Sequence, residues 1–410
     1  MMKRCMSLAI LGAILAACSA VFPVPVETPA LEIESTATFT PTATQTPTAT
    51  PTHTPSPTPT ETPTPTPEYP NEGFGPTDFP ANVNPLTGLF VSDPDNLQLR
   101  PIAFKINIVP RNNRPPWGIN LADIVYDYYH NSGYTRLHAI YYGEDPELVG
   151  PIRSGRLPDD LLVRTYKSLF AYSGADFRIN RRFINSDYSD RLILEGQRSA
   201  CPPTPDNPLC REDPNRFDFL LGGTEQIHAY AAAEGIDDTQ PDLEGMRFQM
   251  QIPVGGKQGE VVTTRYSIDS YNQWIYDPDS GRYVRFQDSL LLDEGQEEEF
   301  QPMTDRLTDE QVSAANVVVL VVPHNYVARP PSEIVDITMS GSGPAYAFRD
   351  GMAYELSWNL PATDGVLYLT FPDGERYAFK PGNTWFQIVG QFSFVTEPEE
   401  GSWRFQFQIP

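Results

Sequence analysis

The chain has 410 residues, and its 53 acidic side chains outnumber 29 basic ones, which gives a formal net charge of −24 at pH 7. A basic surface able to neutralise phosphates is therefore not expected, and nucleic acid is excluded as a predicted partner. Electrostatic attraction to anionic lipid headgroups is also not expected.

The first residues have the pattern of an export signal. Lys3 and Arg4 form a basic region, and Leu8 to Ala17 form an apolar segment too short to span a bilayer. The segment leads into Leu-Ala-Ala-Cys, which resembles a bacterial lipobox, where cleavage precedes an acylated cysteine. We predict a lipoprotein signal peptide at residues 1–17 and lipidation of Cys18, which anchors the chain to the bilayer outside the cytoplasm. The alternative is an ordinary secretory signal with a coincidental cysteine.

A spacer follows the signal. Thr40 to Pro70 is almost entirely threonine and proline, so it has too little apolar surface to repay the entropy of folding. We predict a disordered stalk at residues 18–71, long enough in polyproline II to reach ~150 Å. His53 lies in this spacer and is not expected to bind a ligand. Composition leaves open whether the stalk is O-glycosylated.

Cys201 and Cys210 flank a proline-rich loop. In an exported chain this spacing predicts a local disulfide, with two free thiols as the alternative. Further cysteines or histidines are absent nearby, so no zinc site is predicted here.

Residues 72–255 mix strand and helix patterns. Strands are predicted at 100–109 and 135–143, and 122–130 reads as a helix or a strand. Apolar spacing predicts a helix at 158–170, with Pro158 at its first position and Asp159 and Asp160 in its first turn. A second helix is predicted at 225–233, ended by Gly235.

Residues 256–400 are dominated by strand patterns. A hairpin is predicted to turn at 277–281, and Asp-Gly pairs at 350–351 and 373–374 predict two more turns. The apolar run at 316–324 predicts a buried central strand. The fold class is therefore α+β, with an N-terminal mixed α/β domain followed by a smaller β-rich C-terminal domain.

The segment VGPIRSGR at 149–156 is the strongest candidate site. Its glycines would let a ligand approach the backbone, and the guanidiniums of Arg153 and Arg156 present forks suited to carboxylate or phosphate. Ser154 and Arg136 are added as candidate ligand-binding residues. The structural alternative pairs these arginines internally with acids such as Asp123 or Asp127.

Asp123, Asp127 and His130 are weak candidates for acid-base chemistry. Their spacing places them on one face of a helix, or both carboxylates on one side of a strand, as a glycan hydrolase would require. A polar network that holds the arginines explains the same spacing. The histidines are scattered and no nucleophile elbow is present, so we predict no metal, no cofactor and no covalent catalysis.

The tryptophans are expected mostly in the core. Trp117, between Pro-Pro and Gly, is the expected exception, exposed on a loop where its ring could stack on a sugar.

The motifs of the chain resemble the YerB-like lipoproteins over most of residues 80–395. The motifs that carry the resemblance are NPLTGL (84–89), RPIAFKIN (100–107), ADIVYDY (122–128), Tyr134 to Arg136, VGPIRSGR (149–156), NVVVLVV (316–322), Gly341 to Gly351 and PGNTWFQIV (381–389). The resemblance implies a lipid anchor, an N-terminal α/β domain and a smaller C-terminal β-rich domain, and it names no reaction or cofactor. One departure is the stretch at 216–230, where relatives often carry arginine followed by Ala-Pro-His-Asn.

The leading hypothesis is a non-catalytic, membrane-anchored lipoprotein. It would bind an anionic or glycan envelope component such as peptidoglycan, or an envelope protein, through Arg136, Arg153, Ser154, Arg156 and Trp117. One alternative is an envelope glycan hydrolase that uses Asp123 or Asp127. Another is a scaffold that binds a protein through an exposed apolar surface.

Overall fold

The computed structural model describes residues 69–290, 296–361 and 365–409. The predicted signal peptide, Cys18 and the predicted stalk as far as residue 68 lie outside these ranges. Among the helices of the described residues, none combines the length and the apolarity needed to cross a bilayer.

The α-helices of the described ranges are α1 (Leu157–Tyr166), α2 (Phe177–Ile184) and α3 (Thr224–Glu234). The predictions of α1 and α3 are confirmed, except that α1 ends at Tyr166 and residues 169–170, predicted as its end, lie in a strand. Gly235 ends α3 in the left-handed conformation with φ 70°. Pro158 is the second residue of α1 rather than the first. Helix α2 was not predicted, because only Ile179 and Phe183 are buried on it. Short 3-10 helices cover Pro94–Gln98, Arg111–Asn113, Ile119–Leu121 and Ser189–Arg191.

Strands make up most of the regular structure. In chain order they are β1 (Ile102–Ile106), β2 (Ile124–Asn131), β3 (Tyr134–Tyr141), β4 (Val149–Ile152), β5 (Leu169–Ala171), β6 (Leu192–Ile193), β7 (Leu209–Arg211), β8 (Leu220–Gly222), β9 (Arg247–Phe248), β10 (Lys257–Gln258), β11 (Val261–Arg265), β12 (Tyr271–Asp277), β13 (Arg282–Asp288), β14 (Phe300–Pro302), β15 (Ser313–Ala314), β16 (Asn316–Val322), β17 (His324–Ala328), β18 (Ile334–Ile337), β19 (Gly341–Arg349), β20 (Met352–Leu360), β21 (Tyr368–Thr370), β22 (Ala378–Phe379), β23 (Thr384–Gly390), β24 (Phe394–Glu399) and β25 (Ser402–Gln406).

The largest sheet joins the two halves of the chain. Its strands follow the order β10-β20-β19-β16-β23-β2-β3-β1-β4-β8-β7, with β21 beside β20, β5 beside β1 and β6 beside β5. At the centre, β23 pairs in parallel with both β16 and β2. The predicted central strand at 316–324 is thereby confirmed, and all seven residues of β23 are buried beside it. Buried parallel strands typically have continuous apolar sequences, and β16 has one, NVVVLVV.

A second sheet has the order β14-β13-β12-β11-β25-β24, with β15 beside β13. The predicted hairpin at 277–281 is confirmed as the turn between β12 and β13. The Asp350-Gly351 turn is confirmed between β19 and β20. Strands β17 and β18 form a separate ribbon, and β18 packs against α1 and β2.

The fold is mostly β, with mixed parallel and antiparallel sheets. The segment predicted as a helix or a strand at 122–130 is a strand, and the strands predicted at 100–109 and 135–143 are confirmed. All three α-helices of the described ranges lie within residues 72–255, but strands of that region belong to the same sheet as strands from residues 256–400. The division of the chain into two domains at 255/256 stays a prediction.

Candidate anion-binding groove

One face of the large sheet carries a row of polar side chains. The antiparallel register of β1, β2 and β3 places Lys105 opposite His138, and Tyr128 opposite Arg136. His130 lies in a β-bulge of β2, and its Nδ1 is 3.4 Å from Arg156 Nε. The first turn of α1 brings a carboxylate, Asp159, to the same place.

Asp159 is the centre of a fully buried network. Its Oδ1 accepts hydrogen bonds from Tyr128 OH, from His138 Nδ1 at 2.9 Å and from Lys105 Nζ at 3.2 Å. Lys105 Nζ also donates to Tyr128 OH. The other oxygen, Oδ2, accepts from the backbone N of Arg156 at 2.6 Å. The network therefore holds the backbone at the start of α1.

The protonation states in the network follow from burial and from the neighbouring charges. Burial lowers the pKa of Lys105 to about 7, against the attraction of Asp159. Burial alone would raise the pKa of Asp159, but the charge of Lys105 and the hydrogen bonds from His138 and Tyr128 outweigh it and hold that pKa well below its usual range. Asp159 is thus an anion at neutral pH.

The VGPIRSGR segment consists of β4, a four-residue loop and the start of α1. Arg153 N donates to Lys105 O at 2.8 Å, which continues the pairing of β4 with β1. A Cβ atom placed on Gly155 would lie 2.6 Å from the Phe183 ring. A Cβ atom placed on Gly150 would lie 2.7 Å from Leu221 Cδ2. Both glycines are required for internal packing, so the idea that they admit a ligand to the backbone is wrong.

Arg136 and Arg156 lie together without acidic partners. Arg156 donates to the carbonyls of Ser154 at 3.1 Å and Gly155 at 2.9 Å, and its Nε donates to His130 Nδ1 at 3.4 Å. Arg136 reaches only the Ser154 carbonyl, at 3.5 Å, and its Nε is buried without a partner. Among the described residues, no carboxylate lies within ion-pairing distance of either guanidinium. This arrangement is expected of arginines that face a ligand rather than an internal acid.

Neighbouring basic side chains act on Arg136 and His130. Burial, together with the charges of Arg156 and Arg153, lowers the pKa of Arg136 to about 9. Burial is the largest cause that lowers the pKa of His130 well below its ordinary value, and the charges of Arg136, Arg156 and Lys105 add to it. This imidazole is therefore neutral at pH 7. With Nδ1 accepting from Arg156, the proton of His130 is on Nε2, which makes it a neutral donor.

Two adjoining cavities share His130, Asn131 and Arg156, and together we call them the arginine groove. The first, the basic cavity, has a volume of about 370 Å³ and is completed by Val109, Pro110, Ser132, Tyr134 and Arg136. The second, the mixed cavity, has a volume of about 270 Å³ and is completed by Ser154, Leu157, Asp176, Ile179 and Pro331 to Val335. Three of the predicted residues, Arg136, Ser154 and Arg156, are thus brought together.

Arg153 takes a different position. Its Nη2 pairs with Asp218 Oδ1 at 3.3 Å and its Nη1 donates to Phe217 O at 3.0 Å. It lines neither cavity of the groove. Arg153 contributes charge to the groove and no direct surface.

The weak catalytic candidates Asp123 and Asp127 point into the interior. Asp123 accepts from Asn84 Nδ2 at 2.8 Å, Tyr142 N at 2.5 Å and Gly143 N at 3.2 Å, and burial raises its pKa to about 7. Asp127 pairs with Arg285 Nη2 at 2.8 Å, with both side chains fully buried. Neither carboxylate lines the groove, so the geometry gives the hydrolase alternative no support at these positions.

Trp117 is not exposed, contrary to the expectation for it. Only 7% of the residue is accessible, and the Arg306 guanidinium lies 4.0 Å from the ring centroid. Its ring also packs edge-on against Phe219. The sequence context of Trp117 is a loop, but distant residues cover it, so it is not available to a ligand in the groove.

The predicted disulfide is present between Cys201 and Cys210, with an S–S distance of 2.02 Å. Cys210 lies in β7 at the edge of the large sheet. In the part of the chain that the structure describes, no cluster of three or more His, Cys, Asp or Glu side chains is placed to hold a metal ion.

Sequence reasoning missed Lys105, Tyr128 and His138, and it treated Asp159 as an ordinary residue of a helix turn. One signal was available. Lys105 interrupts the strand IAFKI, in which every residue is buried. A buried ammonium requires a carboxylate partner, so such a lysine predicts one without saying where it lies in the chain.

Residues 86–217 match the family described as "Protein of unknown function (DUF3048) N-terminal domain", and residues 262–386 match its C-terminal domain. The chain belongs to this family. The resemblance to YerB-like proteins is thereby confirmed, and the matched regions include the β1–β3 face, VGPIRSGR and β16.

Two comparisons concern YerB itself. The chain is 26% identical over 313 residues to the "Putative lipoprotein YerB" of Bacillus subtilis (strain 168), covering 74% of this chain and 85% of that protein. A crystal structure of the YerB protein from Bacillus subtilis superposes with a TM-score of 0.62 at 22% identity, covering 75% of this chain and 96% of that one. The structural likeness supports the fold, and the relationship to a lipoprotein suggests a membrane-anchored, extracytoplasmic location.

Proposed function

We propose that the chain is a non-catalytic binding module, held at the outer face of the cell membrane, that binds an anionic group of an envelope component in the arginine groove. The component is a glycan, another envelope polymer or an envelope protein. The observation that carries the proposal is the pair of guanidiniums, Arg136 and Arg156, placed side by side without a carboxylate.

In the free protein, two like charges that are largely removed from water repel each other, and the charge of Arg156 adds to burial in lowering the pKa of Arg136. An anion bound between Arg136 and Arg156 would relieve this repulsion and accept charge-assisted hydrogen bonds from both guanidiniums. The neutral Nε2–H of His130 adds a donor at the boundary of the two cavities. The groove is therefore suited to an oxyanion such as carboxylate or phosphate.

Binding is favoured over hydrolysis by the kinds of side chain in the groove. The two carboxylates of its lining are Asp176 and Glu333, and both are engaged. Asp176 pairs with Arg178 Nε at 2.9 Å, and Glu333 accepts from Tyr129 OH at 2.8 Å and Ser132 N at 2.7 Å. Acid-base hydrolysis of a glycan needs two carboxyl groups facing one substrate bond. The groove supplies donors for an anion instead.

The proposal includes the anchor. Residues 1–17 would be the signal peptide, Cys18 the lipidated residue and residues 18–71 the spacer that carries the module away from the bilayer. The name of the Bacillus subtilis relative supports a lipoprotein. Residues 72–255 and 256–400 would be the N-terminal α/β and C-terminal β-rich domains, matching the two-part family architecture.

The proposal is tested by co-sedimentation of the full chain with purified cell-wall sacculi and by calorimetric titration with inorganic phosphate. Arg136→Gln and Arg156→Gln should each weaken phosphate binding about tenfold to a hundredfold, since hydrogen bonds to charged groups are worth ~1.5–3 kcal/mol. Arg181→Gln is the matched control, because Arg181 is exposed on α2 and lines neither cavity.

Loss of binding in the groove variants, with unchanged unfolding midpoints and an unaffected control, would support the proposal. Equal binding by the wild type and both groove variants would overturn it. If the groove variants instead lose several degrees of melting temperature, the arginines hold the fold, and the search should turn to protein partners.

A further inference from the structure

The two cavities of the arginine groove differ in charge. The basic cavity contains the guanidiniums of Arg136 and Arg156 and no carboxylate. Among the described residues, the mixed cavity is lined by the carboxylates of Asp176 and Glu333, and its only cation is Arg156, which it shares with the basic cavity. A ligand long enough to occupy both cavities therefore meets positive potential at one end and acidic oxygens at the other.

The carboxylates of the mixed cavity disfavour a second anion without recruiting a cation. Glu333 has both oxygens occupied, by Tyr129 OH and Ser132 N. Asp176 caps α2 by accepting a hydrogen bond from the backbone N of Arg178 at 3.0 Å, and it also pairs with the guanidinium of Arg178. Their hydrogen bonds are made within the protein; the charge of Asp176 is balanced by Arg178, whereas Glu333 has no cationic partner among the described residues. An uncharged ligand segment fits this cavity best.

The mixed cavity also has an apolar wall beside its polar atoms. Leu157 and Ile179 come from α1 and α2, and Ile334 and Val335 come from β18. Polar atoms of Asn131, Ser154 and Ser332 line the same space. A wall of this kind accepts a small aliphatic group, and the polar atoms can pair with an amide next to it.

We infer that the ligand of the groove is a short peptide end, with its terminal carboxylate in the basic cavity and its last amide and an aliphatic side chain in the mixed cavity. This inference rests on the proposed function, because it assigns a class to the anion. A polyanion is disfavoured, since its next charged group would lie against Asp176 and Glu333.

The test is calorimetric titration of the full chain with four probes. They are N-acetyl-alanyl-alanine, its C-terminal amide, acetate and a linear polyphosphate. The acid should bind at least about tenfold more tightly than acetate, and the amide at least about tenfold more weakly than the acid. The Ser332→Trp variant tests the mixed cavity separately, because Ser332 is exposed and the larger tryptophan would fill this cavity from outside.

Ser332→Trp should weaken binding of the acid dipeptide about tenfold and leave acetate binding unchanged. The inference is overturned, with the proposed function intact, if the dipeptide binds no better than acetate while acetate binding depends on Arg136. It is also overturned if polyphosphate binds most tightly and Arg181→Gln weakens that binding, which would identify a polyanion. Failure of every probe to bind in an Arg136-dependent way would overturn both.

Discussion

The backbone N of Arg156 donates to Asp159 Oδ2 at 2.6 Å, so the groove and the buried network meet at one carboxylate. The other oxygen of Asp159 binds Lys105, Tyr128 and His138 beneath the groove. The network on the Oδ1 side of Asp159 is fully buried, whereas Arg156, on the Oδ2 side, lines both cavities. The orientation of Arg156 therefore depends on a residue that a ligand never touches.

Asp159→Asn should destabilise the fold by about 3 to 5 kcal/mol, because it leaves the buried ammonium of Lys105 without its anion. Urea unfolding measures the change. Asp187→Asn is the matched control, since Asp187 is largely exposed in its pair with Arg164 and should cost less than about 1 kcal/mol. An Asp159→Asn protein as stable as the control would show that the network is not held by charge.

The stability of the protein should rise between about pH 7 and pH 9. Burial lowers the pKa of Lys105 from 10.5 to about 7, so the unfolded chain binds more protons than the folded chain in this interval. The free energy of unfolding then increases with pH, and this gain is lost as the pH falls from 10.5 towards 7, below which both states hold the proton.

The measurement is the midpoint of urea unfolding across that interval. Lys105→Met should flatten the rise, whereas Lys257→Met, at an exposed lysine, should leave it in place. A wild-type midpoint that stays constant or falls from about pH 7 to pH 9 would contradict the assignment.

Local signals predicted much of the fold. The apolar run of β16, the Asp-Gly turn at 350–351 and the first turn of α1 depend on neighbouring residues, and the structure confirms all three. Pairing of β2 with β23 could not be predicted, because the two strands come from opposite halves of the chain and no local pattern specifies the partner.

The site was predicted in part for the same reason. Arg136 and Arg156 were identified from residue type, and their position on one cavity depends on strand register. The predicted exposure of Trp117 was wrong, because Arg306, which is distant in sequence, covers its ring. Asp159 was read as a helix-turn acid, because its partner Lys105 lies on another element and burial of both is a property of the packed sheet.

Asp127→Ala should destabilise the fold by about 3 to 5 kcal/mol, since it leaves the fully buried Arg285 without a counter-charge. The double variant Asp127→Leu/Arg285→Met should recover most of this loss, because it removes both charges and keeps apolar volume. Chemical unfolding of the three proteins tests this. If Asp127→Ala is harmless to stability but abolishes an envelope-degrading activity, the hydrolase alternative returns.

Cys18→Ser should release the chain from the membrane fraction and abolish incorporation of a labelled fatty acid, because the thiol carries the predicted lipid. Cys5→Ser is the matched control, since Cys5 belongs to the predicted signal peptide and should not alter either result. Labelling that persists in Cys18→Ser would contradict the lipobox prediction.

The most direct test of the central claim is a crystal of the protein soaked in selenate, whose selenium can be located by anomalous scattering. We expect an anomalous peak in the basic cavity within hydrogen-bonding distance of the Arg136 and Arg156 guanidiniums, and we expect it to be absent from an Arg136→Gln crystal. Arginines bonded to carboxylates of the protein itself, with selenate bound elsewhere or nowhere, would contradict it.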